Sequence, residues 1–390
     1  MLKFNPDKTN CTGCSACYSA CPIHCISLIP DEEGFLYPKA SDACIDCKLC
    51  EKVCPLINGK NDIDYPKTVY AAVSKEYKIW HRSTSGGAFS EIVRHWADDD
   101  TLIVGAAWTG FTVHHVGIIG FKNIAPLCKS KYISSAIEDT FIEIRKHLHT
   151  NKKVIFCGCP CQVDGLHHFL RKDSDKLLTI DLICHGQGSP IVFKKCVDVM
   201  DKYFGEQITS YEFRSKRKIV ETDYLSKITT KNKTYYVVND PYQQLFLSQD
   251  ILRPSCGKNC KYRDIQRTGD LTIADCKGLC EIFPDLKGSK KNYSTIVINT
   301  KKGSESIRNL STTMDLRKYA VEDVVKYNPL FAHHTWHSTS RDQFFIDFEN
   351  DSQKAISART KTFSVKKIGA KTLVKTILPE WILILIYKII

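Results

Sequence analysis

One duplicated run of cysteines near the N-terminus constrains this chain more than any other feature. Cys11, Cys14, Cys17 and Cys21 follow the spacing C-x2-C-x2-C-x3-C, and Pro22 comes next. Cys44, Cys47, Cys50 and Cys54 repeat that spacing, followed by Pro55. Three thiolates two residues apart wrap one face of an iron–sulfur cube within a single loop, and the fourth cysteine reaches the other cube. The proline after it suits a first helical turn, where no backbone donor is missed. The spacing predicts two 4Fe-4S clusters. One sits on Cys11, Cys14, Cys17 and Cys54, the other on Cys44, Cys47, Cys50 and Cys21. Structural zinc takes paired C-x2-C motifs, four ligands to a site, and does not fit this run. Cys25 falls in neither set and reads as a small buried hydrophobe.

Residues 1–60 therefore form a two-cluster 4Fe-4S ferredoxin-type module of α+β character. The chain has 390 residues, leaving length for one or two further domains. With 43% hydrophobic and 25% charged residues, it has the composition of a globular protein. Its 19 cysteines argue for metal binding rather than disulfides. The count is odd, disulfide-dense scaffolds are short, and Met1 to Pro6 contains no apolar signal-peptide region. A cytoplasmic setting is expected. No apolar run reaches about 18 residues, so no membrane span is indicated. The formal charge of +12 is uneven, with six lysines against one glutamate in residues 361–390. Nothing has the pattern of a nucleic-acid-binding module, and no nucleic-acid partner is expected.

Asn58 to Pro66 reads as a linker. Beyond it an α/β pattern begins. Val69–Val73, Leu102–Ala107, Lys153–Phe156 and Leu177–Ile183 read as strands, and Ile137–His147 has helical period. Helical stretches follow the last two strands, which implies parallel pairing with crossover helices. The expected fold class is α/β: the ferredoxin-like module, then a mixed α/β domain. Its segments are placed at 67–150 and 151–346, with a basic, apolar tail at 361–390.

A series of short motifs runs through this region. They are Ser85-Gly86-Gly87, Lys129-Ser130-Lys131-Tyr132-Ile133-Ser134-Ser135, Gly158-Cys159-Pro160-Cys161-Gln162 and Cys184-His185-Gly186. Phe213-Arg214-Ser215-Lys216, Arg253-Pro254-Ser255-Cys256 with Cys260, Gly269-Asp270, Ala274-Asp275 and Arg341-Asp342-Gln343-Phe344-Phe345 follow. Each is weak alone, but their order is specific. From the cysteine repeat to about residue 346 the chain resembles the beta subunits of coenzyme F-420-reducing hydrogenases and dehydrogenases. The resemblance implies FAD as the exchange point between iron–sulfur clusters and a two-electron partner. It implies that Ser85, Gly86 and Gly87 hold the flavin diphosphate at a helix start, with Lys131 supplying positive charge. The residues alone leave an ordinary N-cap with a tight turn, and a solvated lysine, equally open.

Two strands should bring cysteines to one sheet edge, where ligands bind in open α/β sheets. Cys161, Cys184, Cys256 and Cys260 together make a four-thiolate set, a third 4Fe-4S site. Cys157 or Cys159 can replace a member, and zinc on Cys256, Cys260, Cys276 and Cys280 is the alternative. His185 is either a proton donor near the flavin or a loop-ordering residue, and the second reading is preferred. Arg214-Ser215-Lys216-Arg217-Lys218 is a positive cluster that either steers an acidic partner or is a solvated face. His333, His334 and His337 fit no common metal spacing.

The chain departs from the family pattern in three places. Cys159 stands for the usual threonine, Cys256 and Cys260 are three residues apart rather than two, and Cys276-Lys277-Gly278 replaces an aromatic Phe-Trp-Gly. The tail either lies on an anionic membrane surface at the inner membrane face, docks on a partner, or folds back on its own core. The reading as a whole is a flavin-dependent iron–sulfur oxidoreductase. Its partner is a redox protein or a small-molecule acceptor such as a deazaflavin or small metabolite. The alternative is a non-catalytic electron-transfer subunit serving a partner enzyme.

Overall fold

The computed structural model describes residues 6–216, 225–257, 260–332 and 338–366, together with Ile382 and Ile384. Arg217, Lys218, His333, His334, His337 and most of the tail lie outside them.

Each cysteine run folds as a loop that ends in a short helix. The first leads through α1 (Ala16–Ala20) to the hairpin β1 (Ile26–Pro30) and β2 (Leu36–Ala40). The second leads through α2 (Leu49–Lys52) to α3 (Pro55–Asn58), where Pro55 takes the first helical position after Cys54, as its fixed φ allows.

The remaining elements alternate. β3 (Thr68–Ser74) is followed by α4 (Tyr77–Arg82), α5 (Ala88–Trp96), β4 (Leu102–Thr109), β5 (Thr112–Ile119), β6 (Ser135–Ala136) and α6 (Thr140–His149). Next come β7 (Val154–Gly158), α7 (Pro160–Leu170), β8 (Leu177–Leu182) and α8 (Pro190–Phe204). A small sheet is then built from β9 (Ile208–Glu212), β10 (Ser226–Thr230) and β11 (Thr234–Val238), and α9 (Pro241–Leu247) follows it. The chain returns through β12 (Leu271–Asp275), α10 (Leu279–Ile282), β13 (Ser294–Ile298), α11 (Lys301–Ser306), β14 (Met314–Tyr319) and α12 (Val321–Tyr327). It continues through α13 (Arg341–Asn350) and α14 (Ser352–Arg359) to β15 (Ser364–Val365), which pairs with β11.

The main sheet has nine strands in the order β14-β3-β13-β12-β8-β7-β4-β5-β6. Its centre, β12-β8-β7-β4, is parallel, and the flanks are mixed. The central strands are buried on both faces, so they read as unbroken apolar runs such as Val154-Ile155-Phe156. The segments at 67–150 and 151–346 share this sheet, because β3 from the first is seated between β13 and β14 of the second. The fold is the expected α/β class with a mixed sheet.

Residues 58–66 do not hang free. Lys60 Nζ donates to Asp264 (2.6 Å) and to the Gln266 carbonyl, and Asn61 N donates to Asp164 (3.1 Å). The β1–β2 turn is fastened to the body as well: Ser189 Oγ donates to the Glu33 carbonyl at 2.6 Å, and Arg341 pairs with the Glu33 carboxylate. Lys361 also meets the body, its backbone N–H donating to Gln244, and Ile384 packs on the apolar cluster around Trp80 and Tyr293. Among the described residues, no helix is long and apolar enough to cross a membrane.

Candidate redox site

The eight N-terminal cysteines line two cavities. One cavity is lined by Cys11, Cys14, Cys17 and Cys54. A second is lined by Cys21, Cys44, Cys47 and Cys50. Cys25 is buried beside the second set, with its Sγ 3.5 Å from that of Cys21. Burial pushes the Cys14 thiol up to about 12 and Cys17 well above its usual range, and the neighbouring thiols add to both shifts. Thiols so placed ionise only against a strong local cation, which an iron core supplies.

A third group gathers at the carboxyl edge of the parallel strands. β7 runs into Gly158-Cys159-Pro160-Cys161-Gln162, which opens α7. Pro160 takes the first turn, and the Gln162 side chain accepts from the Cys159 N–H at 2.9 Å. β8 delivers Cys184, and the segment after α9 delivers Cys256 and Cys260. Gln187, buried, ties these pieces together. Its N–H donates to Cys256 Sγ (3.3 Å), and its side chain donates to Cys161 Sγ (3.5 Å) and to the Thr12 carbonyl (3.0 Å). Burial raises Cys161 far above the normal thiol range and Cys256 to about 12, and in both the surrounding thiols add to the shift. Cys161, Cys184, Cys256 and Cys260 are thus neighbours, and Cys159 joins them with its Sγ 3.6 Å from that of Cys184.

Cys276 and Cys280 lie elsewhere. Cys276 packs with Tyr319 and Thr295, and Cys280 donates to the Leu286 carbonyl. That separation overturns zinc on Cys256, Cys260, Cys276 and Cys280.

Beside the third group opens a cleft of about 1760 Å³, partly open to solvent. Cys159 and Cys184 line it together with Ser83, Thr84, Ser85, Gly87 and Lys131. Its apolar wall includes Tyr132, stacked on Phe246 with ring centroids 4.8 Å apart. Lys131 is nearly enclosed. Its ammonium donates to the Cys128 (2.7 Å) and Lys129 (3.2 Å) carbonyls, and burial lowers it to about 8. Asn328, also on the wall, has a buried Oδ1 with no partner.

The Ser85-Gly86-Gly87 turn is built for packing. Gly86 does not line the cleft: its N–H donates to Ser294 Oγ, and a Cβ there would stand 2.1 Å from the Ala72 carbonyl oxygen. Ser85 Oγ donates to the Tyr293 carbonyl (2.7 Å). Gly87 has φ +96 and caps α5, a backbone conformation that favours glycine. Thr84 and Ser130 face each other across the turn: the Ser130 N–H and hydroxyl donate to Thr84 Oγ1 at 2.9 and 3.2 Å.

The positive cluster is neither a solvated face nor a steering patch in its described part. Arg214 pairs with Asp275 at 2.6 Å, and Lys216 is buried with its ammonium on the Trp80 and Ser85 carbonyls. His185 donates to the Phe246 carbonyl (3.0 Å), and burial lowers it to about 4, so it stays neutral and orders the loop.

Residues 151–323 match the family model for the C-terminal part of the beta subunit of coenzyme F420 hydrogenase/dehydrogenase, and residues 10–57 match that of the 4Fe-4S dicluster domain. The match to the beta-subunit model is confined to that C-terminal segment, less than half of the chain. It is 30% identical over 185 residues to the acetyl-CoA decarbonylase/synthase complex subunit alpha 1 of Methanosarcina mazei, covering 45% of this chain and 19% of that protein. Over 49 residues it is 37% identical to an uncharacterized ferredoxin of Methanocaldococcus jannaschii, covering 13% of this chain and 64% of the ferredoxin. The chain therefore spans about a fifth of the first relative and less than two thirds of the second. A solved chain of the F420-reducing NiFe hydrogenase complex from Methanosarcina barkeri superposes with a TM-score of 0.46 at 15% identity, over 77% of this chain and 93% of that one.

The chain is an iron–sulfur protein, with its 4Fe-4S module at residues 10–57. Its departures from the family pattern fall in the site: Cys159 is the fifth thiol of the third group, and Lys277 lines the cleft.

Proposed function

We propose that the chain is an iron–sulfur flavoprotein oxidoreductase. Electrons enter singly through the N-terminal clusters, cross a third 4Fe-4S site on Cys161, Cys184, Cys256 and Cys260, and reach FAD in the cleft. FAD supplies, when bound, the exchange between one-electron and two-electron chemistry with an organic acceptor such as a deazaflavin or a small metabolite. The residues present suit these groups. Lys131 offers a phosphate a buried cation held only by carbonyls, Asn328 offers an unpaired acceptor, and Tyr132 and Phe246 offer an apolar wall. Burial disfavours the thiolates of Cys161 and Cys256, and a cationic core would offset that cost.

One observation carries the reading: the thiols form a continuous series from the N-terminal module to the cleft. Cys260 lines the cavity of Cys11, Cys14, Cys17 and Cys54, while Cys184 of the same third group lines the cleft. Iron, sulfide and flavin content on protein purified without oxygen tests it. About twelve irons and one flavin per chain are expected. About eight irons and no flavin after FAD is added would sink it.

A second reading is an electron-transfer subunit that hands electrons to a partner protein. The matched Methanosarcina mazei protein belongs to a complex, and Cys47, on the outer cluster cavity, is exposed where a partner would dock. Reduction of an acceptor only when a partner is added would favour it.

A further inference from the structure

Arg263 is a buried cation without a counter-ion. Its side chain is 2% exposed. Nη2 donates to the His185 carbonyl at 2.6 Å, while Nε and Nη1 are buried with no partner. No carboxylate among the described residues forms an ion pair with it. Two other arginines buried in this region have their donors engaged: Arg267 pairs with Asp181 at 2.8 Å, and Arg253 donates to the Cys11 and Leu36 carbonyls. Leaving a guanidinium buried and half-bonded is costly unless an anion completes it.

Its position says which anion. The Arg263 N–H donates to the Cys260 carbonyl at 3.4 Å, and the side chain reaches the carbonyl of His185, the residue after Cys184. The guanidinium thus braces the loops of two thiols in the third group.

We infer that Arg263 is the counter-charge of the third four-thiolate site, donating the free N–H groups of Nε and Nη1 to cluster sulfur and setting the potential at which that site accepts an electron. The inference rests on the proposed reading of Cys161, Cys184, Cys256 and Cys260 as one 4Fe-4S site. Each arriving electron, drawn from the N-terminal clusters, adds one negative charge there; no bond forms or breaks and no proton moves. A fixed cation therefore favours the reduced state. In the wall of the outer cavity, lined by Cys21, Cys44, Cys47 and Cys50, the one lysine, Lys48, is paired with Asp46 (3.2 Å) and Glu51 (3.4 Å).

The test is a redox titration followed by electron paramagnetic resonance on the anaerobic full-length chain, comparing wild type with Arg263→Lys and Arg263→Gln. In Arg263→Gln the midpoint of the third site should shift to more negative potential, while those of the N-terminal clusters stay put. Arg263→Lys, which keeps charge but not the fork, should fall between. Unchanged midpoints with iron still at about twelve per chain would overturn the inference. So would loss of the third site in both variants, since the guanidinium would then be only a brace. Wild-type protein with about eight irons would instead overturn the underlying third-cluster reading.

Discussion

Gly165 lies against Cys14: a Cβ built on the glycine would stand 2.7 Å from the cysteine Cβ and 2.9 Å from its Sγ. Helix α7 therefore carries Cys161 in its first turn and, one turn later, the smallest possible residue where it meets the N-terminal module. Gly165→Ala must push either α7 or the Cys11–Cys17 loop aside. Overpacking of this kind costs about 1–3 kcal/mol. The expected result is a lower Tm and loss of about four irons per chain. Wild-type melting and iron content would show that the loop yields freely.

Cys159 and Cys161 should behave differently. Cys161→Ser is expected to remove about four irons, whereas Cys159→Thr leaves the content intact, because four thiols remain without it. Equal iron loss in both variants, by metal analysis, would make Cys159 a ligand.

Lys131 predicts opposite pH trends for binding and for stability. Burial holds it down to about 8, so above that pH the flavin-free protein carries it neutral, and an arriving phosphate must bring a proton. FAD affinity should fall by up to about tenfold per pH unit between about pH 8 and the ordinary lysine range. The unfolded chain keeps this proton to higher pH than the folded one does, so the lysine's contribution to the unfolding free energy rises across the same window. Lys131→Met should bind FAD more weakly and lose both slopes, as read by fluorescence titration and denaturant melts.

Asp181 and Arg267 form a buried pair at the end of β8, and Asp181 also accepts from the Gly269 N–H at 2.9 Å. Arg267→Met leaves the carboxylate without its cation. A loss of about 3–5 kcal/mol is expected from the denaturation midpoint. A loss below about 1 kcal/mol would mean that the backbone donors suffice.

What the sequence made legible was local. Cluster ligands repeat at fixed short spacing, so the eight N-terminal cysteines could be sorted into two sets from the sequence, and each set lines one cavity, with Cys25 added to one and Cys260 to the other. Lys153–Phe156 and Leu177–Ile183 read as apolar runs and fold as the strands Val154–Gly158 and Leu177–Leu182, and the small residues before α5 sit at its start, Ala88. What stayed hidden was long-range. Gln187 and Arg263 act on residues 26 to 175 and 78 positions away, and no neighbouring residue signals it. Gly86 looked like a glycine that makes way for a phosphate. It makes way for the Ala72 carbonyl, a tertiary constraint that leaves the same mark on a sequence.

The N-terminal module is pinned rather than tethered. Arg253 donates to the Cys11 carbonyl at 2.8 Å and to the Leu36 carbonyl at 2.9 Å, and the Glu33 turn is clasped by Ser189 and Arg341. A module on a flexible linker meets its target by diffusion within the linker's reach. Here no such search takes place. The inward passage of an electron should therefore be indifferent to dilution and to solvent viscosity, and only delivery from an outside donor should slow in a thickened medium.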